Sequence, residues 1–176
     1  MNKTLVLYAS NYGSTKQYAE WITDATNASI YPISEIKTVN ISEYDIIVIG
    51  GGLYAVGILG LKALKSYVKI LKDKTVIIFA VGLSYKSDDV IKHIKTNNLK
   101  KHEIPYNYFF YLRGAFNFDK LSLKHKIMMR ALASKVKKKD GTLTAEEQGI
   151  LDCMNNPISV LSKEQIKPLL KALQKG

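Results

Sequence analysis

The chain has 176 residues and a mass of 19.8 kDa, with 26 Lys+Arg against 15 Asp+Glu and a formal charge of +11. Its 47% hydrophobic and 23% charged residues are those of a soluble globular protein, and a chain this long is expected to form one domain that buries roughly 70% of its unfolded surface without disulfide or metal staples. The charge is the unusual number, and it predicts attraction to nucleic acid, an anionic membrane surface, an acidic protein or a phosphorylated ligand.

The N-terminal MNKTLVLYAS runs straight into a strand-like segment; its apolar run is too short for a secretory signal and no small-residue cleavage site follows. No apolar stretch reaches the about 18 residues of a membrane span, so the cytoplasm is the expected compartment. Thr4 to Ala9 is a continuous apolar run, the pattern of a central strand buried on both faces. From Ser14 the pattern turns helical, with Ala19, Ile22 and Ala25 three residues apart beside Trp21. Ala28 to Pro32 reads as a short strand and Asp45 to Gly50 as a strong one that runs into further glycines. Gly60 to Leu71 reads as a helix with Leu61, Leu64, Val68 and Leu71 on one stripe. Thr75 to Val81 is a third strong strand. Ser87 to Asn97 opens with a capping serine and acids in the first turn of a helix, and Tyr106 to Leu112 is an aromatic-rich strand. This alternation implies right-handed βαβ units around a parallel sheet.

The last third differs. Leu121 to Lys137 is a helical pattern crowded with lysines, and Asp140-Gly141 marks a turn. Thr144 to Glu147 has capping-box spacing for a short helix that ends near Met154, before Asn155-Asn156-Pro157. A final helix is expected from about Ser162, with Gln165 in capping-box register and Pro168 delaying the start. Cys153 is the only cysteine, which excludes an internal disulfide and a CxxC redox or metal site; a packing role is expected for it. His93, His102 and His125 have no metal-site spacing and are expected at the solvated surface. No linker divides the chain, so residues 1–176 are expected as one domain with a basic helix and extra C-terminal segment at about 120–160.

The most informative stretch is Val6 to Ala19. A buried strand ends at Ala9, a loop of small and polar residues follows (Ser10, Asn11, Tyr12, Gly13, Ser14, Thr15), and a helix begins at once. Such a turn aims backbone N–H groups and the positive helix end at one point, which suits a phosphate. Gly13 permits the tight backbone, while three hydroxyls and the Asn11 amide add neutral hydrogen bonds. The loop holds no lysine and the chain has neither GxxxxGK(S/T) nor GxGxxG, so a single phosphate monoester fits better than a nucleoside triphosphate. Composition alone leaves open a plain loop before a capped helix. The spacing, however, resembles the flavodoxin signature, an aromatic-ended strand followed by x-S/T-x-x-A/G-x-T-x-x-x-A; Tyr8, Ser10, Gly13, Thr15 and Ala19 fill its fixed places. The resemblance implies an α/β, three-layer, flavodoxin-like fold. Its five-stranded parallel sheet has the order 2-1-3-4-5, helices cover both faces, and FMN lies at the carboxyl ends of the strands.

The same resemblance places the flavin ring between the loops after the third and fourth strands. The first of these carries Gly52, Leu53, Tyr54, Ala55, Val56 and Gly57, with Tyr54 as a stacking residue or a plain surface tyrosine. The second carries Gly82, Leu83, Ser84 and Tyr85 against the pyrimidine edge or the opposite face. The Gly-Asp or Gly-Cys pair common after the fourth flavodoxin strand is absent.

Ordinary electron-carrier flavodoxins are acidic, and this chain is not. Phe116 to Asp140 holds eight Lys+Arg against two acids, a surplus of +6 that is more than half of the total. Such a run is either a solvated helix face or a basic amphipathic helix on an anionic membrane or partner, with Leu121, Leu123, Ile127 and Met128 supplying apolar contact. Tyr108 to Leu132, with Arg113-Gly114-Ala115-Phe116 and Met128-Met129-Arg130, looks like the flavodoxin-domain group that includes the menaquinone-dependent protoporphyrinogen oxidases. Three functions are therefore weighed. One is an FMN-binding electron-transfer protein; another is a quinone-dependent oxidoreductase acting on protoporphyrinogen. The third, a nucleic-acid-binding α/β module, is weakest because no recognition motif accompanies the charge. The implied partners are a redox protein or quinone, with peripheral contact at the inner face of an anionic membrane through Lys135, Lys137, Lys138 and Lys139, and no nucleic acid. Arg113 would meet a substrate carboxylate, an anionic flavin or a structural acid. No acid, base or nucleophile is nominated, since a flavin would carry the chemistry.

Overall fold

The computed structural model of the chain describes residues 2–54, 57–143 and 145–175. Its sheet is built from β1 (Thr4–Ala9), β2 (Ser29–Pro32), β3 (Ile46–Tyr54), β5 (Thr75–Gly82) and β6 (Tyr108–Arg113), all parallel in the order β2-β1-β3-β5-β6. The two-residue β4 (Gly57–Ile58) folds back antiparallel on the end of β3. This is the expected three-layer fold and order of major strands. The apolar runs are continuous because the central strands are covered on both faces. Leu5, Leu7, Ile47, Ile49 and Ile78 face one core with Ile33, Leu61, Leu64, Ile94 and Leu99. Val6, Val48, Ile77 and Phe79 face the other with Tyr18, Ile22, Ile166 and Leu169. Helices α1 (Ser14–Thr26) and α6 (Lys167–Leu173) cover the second face; α2 (Val68–Leu71) and α3 (Asp88–Lys95) lie over the first.

Several boundaries differ from the sequence expectation. β3 runs four residues past Gly50, since glycines keep the pairing where side chains would not fit: a Cβ on Gly50 would enter the Phe79 ring. The expected helix at 60–71 is mostly a 3-10 stretch (Leu61–Tyr67), and only Val68–Leu71 is α-helical. Leu61 and Leu64 are three apart, a spacing that aligns on a 3-10 helix as well as on an α-helix. β6 starts at Tyr108, not Tyr106. α3 starts after the Ser87 cap as expected, then widens into a π turn at Thr96–Lys100. That turn buries Asn98, whose side chain accepts from the Ile58 N–H at 2.7 Å and donates to the Ile94 carbonyl at 2.8 Å.

The C-terminal third adds α4 (Leu123–Lys137), capped by Ser122, and α5 (Ala145–Asn155); the Thr144 cap lies outside the described residues. An unforeseen ribbon of β7 (Ala115–Phe116) and β8 (Ile158–Ser159) ties this region together. Ser162 caps a 3-10 turn, and α6 follows with Pro168 in its first turn, where proline is tolerated. Gln165 does not close a capping box. Its side chain turns inward instead, accepting from the Arg113 N–H at 2.8 Å and donating to Tyr18 Oη and the Val160 carbonyl, both at 2.7 Å.

Candidate functional site

The sheet order reverses between β1 and β3, and at such a switch point the loops leaving the strands part to form a crevice. Three of those loops carry the residues singled out in the sequence.

The first is the turn from β1 to α1. Gly13 caps α1 at φ +94°, a left-handed conformation that an L side chain rarely adopts. Its N–H donates to Ser10 Oγ at 3.1 Å, so the loop closes on itself. The first N–H groups of α1 have no partner within the helix and open toward this loop. Thr15 is 2% exposed and lies against Gly52, where a Cβ would stand 3.3 Å from Thr15 Oγ1. Ser14 Oγ accepts from the Ala115 N–H at 3.0 Å, so it also anchors the chain leaving β6. A cavity of about 450 Å³ adjoins the loop, walled by Tyr8, Ser10, Asn11 and Gly13 and, across from them, Pro32 to Ser34. Lys16 is also in this wall, 3.7 Å from Glu20. The loop itself is neutral as expected; its one cation stands inside the first turn of α1, beyond the stretch read for loop chemistry.

The second part is the end of β3. Tyr54 stands 4.7 Å, ring to ring, from His125, and its hydroxyl donates to Met128 Sδ at 2.8 Å. The Tyr12 hydroxyl is hydrogen-bonded to His125 Nδ1 and accepts from the Ser122 N–H at 3.3 Å. His125 is therefore not a solvated bystander: it lies between the phosphate-type loop and the β3 tip. Nothing in its local spacing signals this, because the contacts cross more than 70 residues of chain. Gly57 lies in β4, and Ala55 and Val56 fall outside the described residues.

The third part follows β5. Gly82 pairs with Arg113 across the sheet, and a Cβ there would stand 2.7 Å from Tyr111 Oη and 2.9 Å from Leu53 Cδ1. Tyr111 donates to the Ser84 carbonyl at 2.8 Å and Arg113 Nε to the Leu83 carbonyl at 3.4 Å, while the guanidinium lies 4.2 Å from the Tyr85 ring centre. Leu83 and Tyr85 are exposed at the rim. Cys153 is elsewhere, buried in α5 with its thiol donating to the Ile150 carbonyl, and burial raises its pKa. Among the described residues no group of three His, Cys, Asp or Glu is arranged as metal ligands.

The crevice thus joins a backbone-rich anion cradle to a wall of aromatic and glycine positions. That arrangement suits a phosphate ester carrying a flat ring, and the residues fit FMN: the cradle is open, hydroxyl-bearing and backed by one cation. A family model described as the flavodoxin domain matches residues 5–143 and supports FMN as the cofactor. No curated protein sequence matches the chain. Three solved structures show what it is similar to. A flavodoxin, WrbA-like protein from Agrobacterium tumefaciens is 22% identical over 58% of this chain and 70% of that one, with a TM-score of 0.45. A flavoprotein in complex with FMN from Lactobacillus acidophilus is 17% identical over 64% and 93%, at 0.45. A flavodoxin from the domain Archaea is 18% identical over 63% and 82%, at 0.43. None of these matches singles out the protoporphyrinogen oxidase group. The chain belongs to the flavodoxin domain family.

Proposed function

We propose that the protein is an FMN-dependent redox protein whose cofactor occupies the crevice at the carboxyl ends of β1, β3 and β5. The observation that carries this reading is the convergence of the Gly13-capped loop, the β3 tip and the Gly82–Tyr85 loop at one switch point. Ser10, Asn11, Tyr12, Gly13, Ser14 and Thr15 would hold the phosphate through backbone N–H groups and hydroxyls, with Lys16 adding charge at the wall. Gly52, Leu53, Tyr54 and Gly57 would line one side of the ring and Gly82, Leu83, Ser84 and Tyr85 the other. When bound, FMN supplies the electron uptake and release; the protein binds, orients and tunes it. The test is titration of the purified protein with FMN, read by absorbance and flavin fluorescence. Saturable changes at one equivalent are expected, and a protein that leaves free FMN unaltered overturns the reading.

A second, finer reading is a quinone-linked oxidoreductase acting on a porphyrinogen. The observation that favours it is Arg113, a cation at the crevice with no carboxylate within 4.0 Å among the described residues. Carboxylate-bearing substrates suit that field. Oxidation of protoporphyrinogen that requires added menaquinone supports this reading; FMN binding without it leaves a carrier.

A further inference from the structure

Helix α4 is turned inside out. Its buried side carries Ala133 and Val136, whereas the large apolar residues point to solvent: Leu123 is 73% exposed, Ile127 58%, Met128 42% and Leu132 41%. Leu123 with Ile127, and Met128 with Leu132, are four apart and so stack on neighbouring strips of the outward side. Lys124 and Lys135 lie between and beside those strips, Arg130 flanks them, and Lys137 and Lys138 continue past the last turn. Among the described residues none of Lys124, Lys126, Arg130, Lys135 or Lys137 forms an ion pair, while Lys139 is bridged to Glu147 at 2.7 Å. Leu121, expected to join the apolar contact, is buried instead, and Lys139 is already engaged.

The geometry points to the outward face of α4 as a docking surface for an anionic lipid bilayer. A helix that exposes apolar side chains interleaved with lysines that form no ion pair among the described residues matches an interface where acyl chains take the first and lipid headgroups the second. A protein groove would require acids set against each lysine. A nucleic acid would use the cations and leave the leucine and isoleucine side chains in water. Among the described residues no helix is long and apolar enough to cross a membrane, so this is contact with the surface. α4 is tied to the crevice from its start, through His125 against Tyr12 and Tyr54 and through Met128 Sδ, which accepts from the Tyr54 hydroxyl while its side chain stays part exposed, so the docking helix is joined directly to two of the crevice loops. The docking stands without the cofactor; only the supply of electrons to or from a lipid-phase carrier rests on the FMN reading.

The full chain is floated with phosphatidylcholine vesicles, with and without phosphatidylglycerol, with FMN binding recorded on the same sample. Binding is expected only with phosphatidylglycerol, weakening as salt rises. The variant Leu123→Asp/Ile127→Asp should lose about tenfold or more in partitioning, the scale of withdrawing two apolar side chains, with circular dichroism and melting temperature unchanged because both positions are exposed. Lys124→Gln/Lys135→Gln/Lys137→Gln should bind less and with a shallower salt dependence, while Lys69→Gln/Lys72→Gln, with both lysines exposed but off α4, should bind as the parent does. Three results overturn the proposal. The first is no binding to the anionic vesicles. The second is binding that ignores Leu123→Asp/Ile127→Asp, which would be charge attraction alone. The third is self-association that this variant abolishes, which would make the face a contact between two copies. Loss of FMN binding with vesicle binding intact would sink the cofactor reading and leave the docking standing.

Discussion

The Tyr12 hydroxyl is hydrogen-bonded to His125 Nδ1, joining the loop after β1 to the first turn of α4 across 113 residues of chain. The same oxygen accepts from the Ser122 N–H at 3.3 Å, so one hydroxyl holds both the cap and the first turn of α4. The other side of the imidazole is turned to Tyr54, so one histidine clamps α4 over two loops of the crevice. Tyr12→Phe keeps the ring and removes both hydrogen bonds. The site is exposed, so global stability should change by about 1 kcal/mol or less. Amide hydrogen exchange in residues 122–128 should nevertheless quicken, and unchanged protection there would show that the clamp does not hold the helix.

Gly13 and Gly141 allow a matched comparison. Their φ values are +94° and +104°, and a Cβ at either would meet nothing within 4 Å among the described residues. Replacement by alanine therefore costs backbone strain alone, about 1–2 kcal/mol at each position. Gly13→Ala should in addition weaken FMN binding, because the N–H groups of the loop shift with the cap, whereas Gly141→Ala should leave it as it was. Equal effects on FMN affinity, measured by fluorescence titration beside thermal melts, would remove the Gly13 turn from the phosphate site.

What the sequence revealed and what it hid divide along contact distance. Thr4–Ala9, Ile46–Gly50 and Thr75–Val81 announce themselves because burial on both faces demands an unbroken apolar run, and the loops following them then mark the crevice. The direction of α4 was legible only in part: the lysine-rich pattern left both a solvated face and an outward apolar one open, and Leu123, Ile127 and Met128 do face water while Leu121 is buried. The placement of His125 and Gln165 was hidden, since their partners lie far away in sequence. The β7–β8 ribbon has two residues a strand, too few for any period to show.

Gln165 shows how much such a hidden contact carries. One amide satisfies the Arg113 N–H, Tyr18 Oη and the Val160 carbonyl, and Tyr18 in turn donates to the Arg113 carbonyl at 2.7 Å. Burial raises the pKa of Tyr18, with hydrogen bonds from the Ser162 backbone and Gln165 working against it. Gln165→Leu would strand several part-buried polar groups between α6 and the end of β6. A loss of about 3 kcal/mol is expected in urea unfolding, and a loss well under about 1 kcal/mol would mean that water replaces the amide.

His102 sets a pH dependence. Its Nδ1 is buried without a hydrogen-bond partner among the described residues, and its pKa is lowered from 6.5 by desolvation and then by Lys65, Lys101 and Lys62. The unfolded chain therefore binds the proton at a higher pH than the folded one. The contribution is fully present above pH 6.5 and is lost as pH falls through the window below it. His102→Asn should flatten this part of the stability profile measured between neutral and mildly acidic pH, and an unaltered profile would assign it to other groups.

Arg113 bears on the redox level of the site. Its guanidinium lies over Tyr85 and its Nε reaches the Leu83 carbonyl, so the charge is held at the loop after β5, with no carboxylate within 4.0 Å among the described residues. A cation fixed there favours an anionic form of a bound ring over a neutral one. For FMN this means tighter holding of the reduced anion than of the oxidised cofactor, the opposite of what an acidic surround does. Arg113→Gln is expected to lower the two-electron midpoint potential of bound FMN in spectroelectrochemistry, by about 30 mV for each tenfold loss in that preference. Arg113→Lys should restore part of the shift, because it keeps the charge and loses the flat contact with Tyr85. Equal potentials for all three proteins would place the guanidinium outside the field of the ring and leave it the structural task of pinning Leu83 and Tyr85.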